Sequence, residues 1–537
     1  MLYAPEDQAV KEETAAAIHE ALVLMLHAAD DGATARELEE HVWKTSLEFG
    51  RALMSAGLRR MCARATAQDI KERGLDPKQV TLRLDGDYHA TLSTTLGPVT
   101  FPWFAYRDRS AAAATVTHTP AKTAVLPLFK HCRSSELLLE WESRLGSDHP
   151  FRHAQEALSY FTHGAAHRED TTIARHMVTV GSLVSREWTY RTPEDIAHLL
   201  LTRATRDPKT GRPLLYASTD AHALRTYVDD TWDAQWKMAN GVRVWCIDRH
   251  NGSTIHLGGE YTWGNCEKVQ ETFEWLRDTG RMPADGRMVN GLNVQVVLVT
   301  DGAPWIKERL VPLFPKAVVL LDAYHLLEAL AKYATARFLA GTASNKLFYQ
   351  RALDALFGKS RGKKPAMPKP RRGHTKRSCQ PIAASTMPAD DAPHARRRKR
   401  SPAADRLLGL LAEGVVPPTV EDEHNKLVAA INHNADRIDY EQWRPRGYQI
   451  GSGAMESLHR TGSQTRLKVA GIRCLPETSQ AIFNLRMLRL CGRWDEFWRQ
   501  DDITSSLVAA FGARTLKLAT TLEAAAADAA ETYQHAA

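Results

Sequence analysis

The feature that most narrows the fold is the order of apolar segments between residues 211 and 322. LLYASTD, RVWCIDR and TIHLGGEYTW each gather β-branched and aromatic residues in short runs, and the NG pair at 251–252 predicts a hairpin between the last two. EKVQETFEWLRDT switches to a helical period that puts Val269, Phe273 and Leu276 on one face. NVQVVLVTD is wholly apolar before its aspartate, the pattern of a strand covered on both faces, and a short helix and a fifth strand, AVVLLD, come next. Three strands, a helix, a strand, a helix and a strand predict one mixed sheet. Asp220 then closes the first strand and Asp301 the fourth.

The flanking sequence predicts an α+β, multidomain chain. Residues 1–75 have helical spacing, and 76–120 alternate polar with β-branched or aromatic residues as in a small β-meander. Residues 121–195 return to helix. Within them, two short helices meet at a turn around Gly164, the second capped by Asp170, as in a helix-turn-helix whose Thr171, Thr172, Arg175 and His176 could face DNA. The sheet region, 210–323, is followed by a helical insertion, 324–445. Residues 446–500 bring a helix carrying Glu456 and a C-terminal helix, and 501–537 form an alanine-rich tail.

Charge is concentrated rather than spread. Residues 359–400 carry 14 Lys and Arg against 2 Asp, a local balance of +12, so the remainder of a +7 chain carries −5. That stretch is rich in Pro, Ala and Ser without apolar periodicity, and residues 359–402 read as a disordered basic linker. Lys363, Lys364, Arg371 and Arg372 are its candidate phosphate contacts. The seven cysteines form no CxxC pair, which speaks against a zinc ribbon or disulfide framework. No apolar run reaches the ~20 residues of a membrane span, and the expected location is the cytoplasm, with the nucleoid.

Asp220, Asp301 and Glu456 are the candidate catalytic and metal-binding residues. Asp229 and Asp230 are rivals for the first position, but Asp220 ends its strand. On a helical wheel Glu456, His459, Arg460, Ser463 and Gln464 share a polar face, with Ala454, Leu458, Thr461, Thr465 and Val469 opposite. Arg460, Arg466, Lys468 and Arg473 are candidate phosphate contacts near that carboxylate. His325, in the first turn after the fifth strand, could line the same site or be structural.

At TDGAPWIKERL (300–310), FPKAVVLLDAYHLLEAL (314–330), YQIGSGAMESLHRTGSQTRLKVAGIR (448–473) and QAIFNLRMLRLCGRWDEFW (480–498) the chain resembles the DDE transposases of bacterial insertion sequences, in particular the Kra-type group. The element order of 211–322 is also that of the ribonuclease H-like fold, in which the first and fourth strands lie side by side. The resemblance implies Asp220, Asp301 and Glu456 as a catalytic triad holding two Mg²⁺, with Mn²⁺ as substitute. It implies double-stranded DNA as partner, both element ends and target, and at least a homodimer. Ala221 stands where a glycine would be expected, and Cys474 where a tryptophan would be. Two other functions fit the same residues: a DNA-binding regulatory protein without turnover, and a ribonuclease H-like nuclease acting on DNA structure.

Overall fold

The computed structural model describes residues 12–516 apart from 84–88, 109–116, 229–232, 359–399 and scattered positions in 13–29 and at 77 and 79. It divides into two compact units. One comprises Met1–Thr189, Arg225–Gln235 and Gly462–Ala537; the other comprises Tyr190–Leu224 and Trp236–Thr461. The tail beyond residue 516 and most of the basic linker, with Lys363, Lys364, Arg371 and Arg372, lie outside the described residues.

The first unit begins with α1 (Ala35–Glu72), started by a capping box in which Thr34 and Glu37 each bond the other's backbone N–H. Next along the chain are the strands β1 (Val80–Arg83), β2 (His89–Thr94), β3 (Gly97–Pro102) and β4 (Ala105–Asp108). They are nested rather than arranged as a meander: β2 pairs β3 and β1 pairs β4, both antiparallel. Trp103 and Phe104 are the reason. They turn the chain out of β3 into the core with Leu58 and Cys62 of α1, so β4 returns to β1 instead of extending the hairpin.

Three helices come after the strands: α2 (Glu136–Asp148), α3 (Phe151–Phe161) and α4 (Asp170–Leu183). The expected helix-turn-helix is corrected in two respects. Glu169, not Asp170, is the N-cap of α4, and its side chain makes no capping bond. More importantly, α4 is buried along most of its length, through Ile173, His176, Met177, Val178, Thr179, Val180 and Gly181. Thr171, Arg175 and Ser182 are its exposed positions.

The second unit opens with α5 (Pro193–Thr202) and continues with β5 (Leu214–Val228) and β6 (Asp233–Ile247), whose adjoining ends within Arg225–Gln235 belong to the first unit, and then β7 (Thr254–Trp263), α6 (Cys266–Asp278), β8 (Gln295–Thr300) and β9 (Val318–Leu321). The sheet order is β7-β6-β5-β8-β9, with β5–β8 and β8–β9 parallel, so the first and fourth strands of this unit are neighbours. Alternation along each strand gives the sheet two faces. Leu215, Ala217, Val244, Val296, Leu298 and Val319 pack against Ile196 and Leu200 of α5 and Val269, Phe273 and Leu276 of α6. Leu214, Tyr216, Trp245, Val297, Val299 and Leu320 form the opposite face.

The insertion has its own core, built by α7 (Ala323–Phe338), α8 (Ala343–Phe357), α9 (Pro402–Leu411) and α10 (Glu421–His433). The chain then forms α11 (Gly453–Leu458), whose Ala454 lies against the second face of the sheet. A π-helical turn, His459–Gln464, continues directly from it. In the first unit, α12 (Pro476–Leu490) packs on α4. Among the described residues no helix is long and apolar enough to cross a membrane.

A side chain added at Gly181 of α4 would begin 2.6 Å from the Ala481 Cβ of α12 and 2.8 Å from its Cα. Gly181→Val is therefore expected to destabilise the protein by about 1–3 kcal/mol through overpacking, read as a lower thermal midpoint. An unchanged midpoint would restore α4 as an open recognition helix.

Candidate active site

β5 does not stop at Asp220, as the sequence pattern predicts, but runs on to Val228. Asp220 lies where β5 leaves β8: the last paired residues are Ser218 and Val299. Carried two residues further, that register sets Asp220 level with Asp301. The last β8–β9 pair is Thr300 with Leu321, and one residue further Asp301 is level with Asp322. Three adjacent parallel strands thus bring three aspartates to one line, all on the face that holds Tyr216, Val299 and Leu320. Asp322 is the member that sequence reasoning missed. Its signal was present, since STD, VTD and LLD end three apolar runs, but the aspartate also caps α7 by accepting the Tyr324 N–H at 2.8 Å.

Each carboxylate is held differently. Asp220 Oδ1 accepts the Ala221 N–H at 2.8 Å, and Oδ2 stands 3.3 Å from His459 Nε2. Burial pushes its pKa up, but His459, the charge of His325 and the Ala221 bond outweigh it, and the net shift is down. Asp322, fully buried, receives Ser452 Oγ–H and His325 Nδ1 at 2.8 Å. Its shift is also down, against burial. Asp301 opens to solvent and takes the Ala303 N–H at 3.0 Å. Packed protein around its carboxyl raises its pKa, and the charges of Asp220 and Asp322 add to that rise.

His325 is the cation of the cluster. Its bond to Asp322 and the charges of Asp322, Asp220 and Asp301 raise its pKa to about 9 against partial burial. The sequence left His325 between a structural and an active-site role; the structure sets it toward all three aspartates.

Glu456 is exposed on α11. Ser452, Glu456 and His459 are four and three residues apart, one stripe of a helix, and the two flanking members reach Asp322 and Asp220. The stripe that carries Glu456 is therefore turned toward the aspartate row. Beyond His459 the predicted helical faces fail: Ser463 is fully buried, while Thr461, Thr465 and Val469 are exposed. The π turn adds a residue to that turn of helix and rotates the positions after it.

The candidate DNA contacts separate into two groups. Thr171, Arg175, Arg460, Lys468 and Arg473 are exposed, and Thr172 is half-buried. Arg466 and His176 are corrected. Arg466 is 1% exposed, donates Nε–H to Gly146 O at 3.2 Å and lies over the Phe151 ring. His176 is 5% exposed, 2.5 Å from Glu142 Oε2 through Nδ1 and 3.7 Å from Cys132 Sγ through Nε2. Alternating helical positions predict a face but not its partner, and here the partner is protein.

The donor chemistry of Asp220 and Asp301 fits a hard divalent cation, which would offset the burial and the like charges that raise Asp301. Among the described residues, no three His, Cys, Asp or Glu side chains form a ready metal-holding group. No family model and no curated protein matches the chain. Among solved structures, the Drosophila P element transposase strand transfer complex superposes with a TM-score of 0.31 and 11% identity, covering 69% of this chain and 93% of that chain. A likeness of that size assigns neither fold nor activity.

Two outcomes are expected. Asp322→Asn should lower the His325 pKa from about 9 toward the ordinary value near 6.5 in an NMR titration of the ring; no movement would mean that Asp322 does not hold the ring. His176 is raised to about 9 because Cys132 and Glu142 outweigh its burial. Its charge stabilises the fold below the unfolded value near 6.5, and that contribution is lost as pH rises through about 9. Glu142→Gln should cost about 3–5 kcal/mol at neutral pH and remove much of this dependence in thermal melts from pH 6 to 10.

Proposed function

We propose that this protein is a DDE-type transposase with a ribonuclease H-like catalytic unit. The observation that carries the reading is the parallel register that sets Asp220 beside Asp301, under a helix stripe bearing Glu456. Strand ends offering carboxylates on one sheet face form an arrangement suited to phosphoryl transfer.

In this reading Asp220, Asp301 and Glu456 hold Mg²⁺, with Mn²⁺ as substitute. Cations held there would supply charge stabilisation and lower the pKa of an oxygen nucleophile. Water displaces the 3′ oxygen of the phosphodiester at the element end, breaking the P–O3′ bond and leaving a free 3′-hydroxyl. That hydroxyl then attacks a phosphodiester of target DNA, displacing its own 3′ oxygen. His325, protonated near neutral pH, balances part of the charge that the aspartate row brings to the substrate phosphate. Asp322 holds His325 in place.

DNA is gripped by charge. Thr171, Arg175, Arg460, Lys468 and Arg473 are exposed and are the candidate phosphate contacts, and the segment 359–400 with its +12 balance serves as a sequence-blind arm. Two element ends call for at least two protomers, and the working location is the nucleoid.

Asp301→Asn, nearly isosteric, should lower Mg²⁺-dependent cleavage of the native locus's flanking DNA by at least about a hundred-fold while gel-shift binding persists. Cleavage at the wild-type rate would overturn the triad. Deleting 359–400 should weaken DNA binding and flatten the plot of log affinity against log salt, by ~0.9 for each phosphate that the arm no longer neutralises. An unchanged slope would remove the arm from the DNA contacts.

A further inference from the structure

We propose that His459 and Tyr261 are positioning residues for Asp220: Tyr261 selects the ring tautomer of His459, and His459 fixes the Asp220 carboxylate for cation binding. The metal part of this inference rests on the transposase reading. The tautomer part rests on geometry alone.

His459 is 3% exposed and Tyr261, on β7, is 1% exposed. Tyr261 Oη lies 3.1 Å from His459 Nδ1, while Nε2, at the far side of the ring, is 3.3 Å from Asp220 Oδ2. A ring carrying one hydrogen has two choices. If Nδ1 held it, Nε2 would turn a lone pair on an anionic oxygen, a repulsive contact away from bulk water. If Tyr261 donates to Nδ1, the hydrogen belongs on Nε2 and faces Asp220. The second arrangement puts a hydrogen rather than a lone pair on the side of Asp220, at the 3.3 Å ion-pair distance, so the phenol decides what the carboxylate meets.

The ring cannot swing away. The His222 ring centroid is 4.4 Å from that of His459. On the sheet beneath, a Cβ at Gly241 would come within 2.3 Å of Met455 Cε, 2.9 Å of Tyr261 and 3.1 Å of His459. Glycine is thus the residue that lets these three side chains close over the strand. His459 is also the first residue of the π turn, and irregular turns of that kind recur where a helix must aim a side chain.

The consequence falls on Asp220. Its Oδ1 accepts the Ala221 N–H and its Oδ2 faces His459 Nε2 at an ion-pair distance of 3.3 Å, so each oxygen has a protein group beside it. Asp301, by contrast, has a described hydrogen bond only to the Ala303 N–H. A carboxylate set before the cation arrives binds it without a further ordering cost. Loss of such an outer partner commonly weakens metal binding about 10–100-fold.

The test uses the full-length protein. NMR of ¹⁵N-labelled histidine should show the Nε2–H tautomer at His459 in wild type, and Tyr261→Phe should shift it toward a mixture. Mn²⁺ alone, titrated by electron paramagnetic resonance, should bind about ten-fold more weakly to His459→Leu and measurably more weakly to Tyr261→Phe. His459→Gln, whose amide can reach the same oxygen, should recover part of the loss. Tyr261→Phe guards against misfolding of the leucine variant, because it removes one atom and keeps the ring. An unchanged tautomer and unchanged Mn²⁺ affinity in Tyr261→Phe would overturn the relay, whatever the DNA reaction does. The expected tautomer shift in a protein that binds Mn²⁺ but cleaves no DNA would keep the relay and overturn the transposase reading.

Discussion

The parallel register of β5, β8 and β9 is the constraint on which the candidate site depends. Because side chains alternate along a strand, a slip of one residue in β8 would send Asp301 to the α5–α6 face and Val297 and Val299 with it. The apolar pattern of NVQVVLV forbids that slip only weakly, since both faces of this strand are covered. The pairings of Thr300 with Leu321 and of Ser218 with Val299 are therefore held by the neighbouring elements as much as by β8 itself. The backbone bond from Asp322 N–H to Thr300 O, 2.7 Å, closes the line at the point where the carboxylates meet.

Lining up like charges has a cost. Two carboxylates ~5 Å apart repel by about 3 kcal/mol at an effective dielectric of ~20. The protein distributes this unevenly. Asp220 and Asp322 each obtain a histidine neighbour and backbone N–H donors, and both shift down. Asp301 keeps one backbone donor and shifts up. Gly302, at φ 86°, lets the chain turn directly after Asp301, where a Cβ would strike Leu321 at 2.6 Å. Burial and the unrelieved part of the repulsion thus both fall on Asp301.

Much of this was legible in the chain. The order of elements along 211–322, the buried helix face of Val269, Phe273 and Leu276, the hairpin at 251–252 and the helices after Asp322 all derive from local periodicity, and all are present. What local pattern could not supply was partnership. His176 and Arg175 are adjacent on a predicted recognition helix, yet one is buried against Glu142 and the other is exposed. Arg466 reads as a surface cation but gives its Nε–H to Gly146 and its face to Phe151. The π turn at His459–Gln464 has no signature in composition, and it breaks the wheel on which Glu456 was set. Asp322 was hidden by doing two jobs, capping a helix and completing the row.

The opposed shifts also say where a cation would act most strongly on stability. A ligand stabilises a fold in proportion to its preference for the folded state. Asp220 and Asp322 are already compensated by protein groups, so a bound cation would gain less from them than from Asp301, whose charged form the surrounding protein disfavours. The folded protein gives up stability at Asp301 as pH rises through the carboxylate range, the reverse of what Asp220 and Asp322 do. A cation bound here would relax that strain, and the difference would favour binding rather than hold the sheet together.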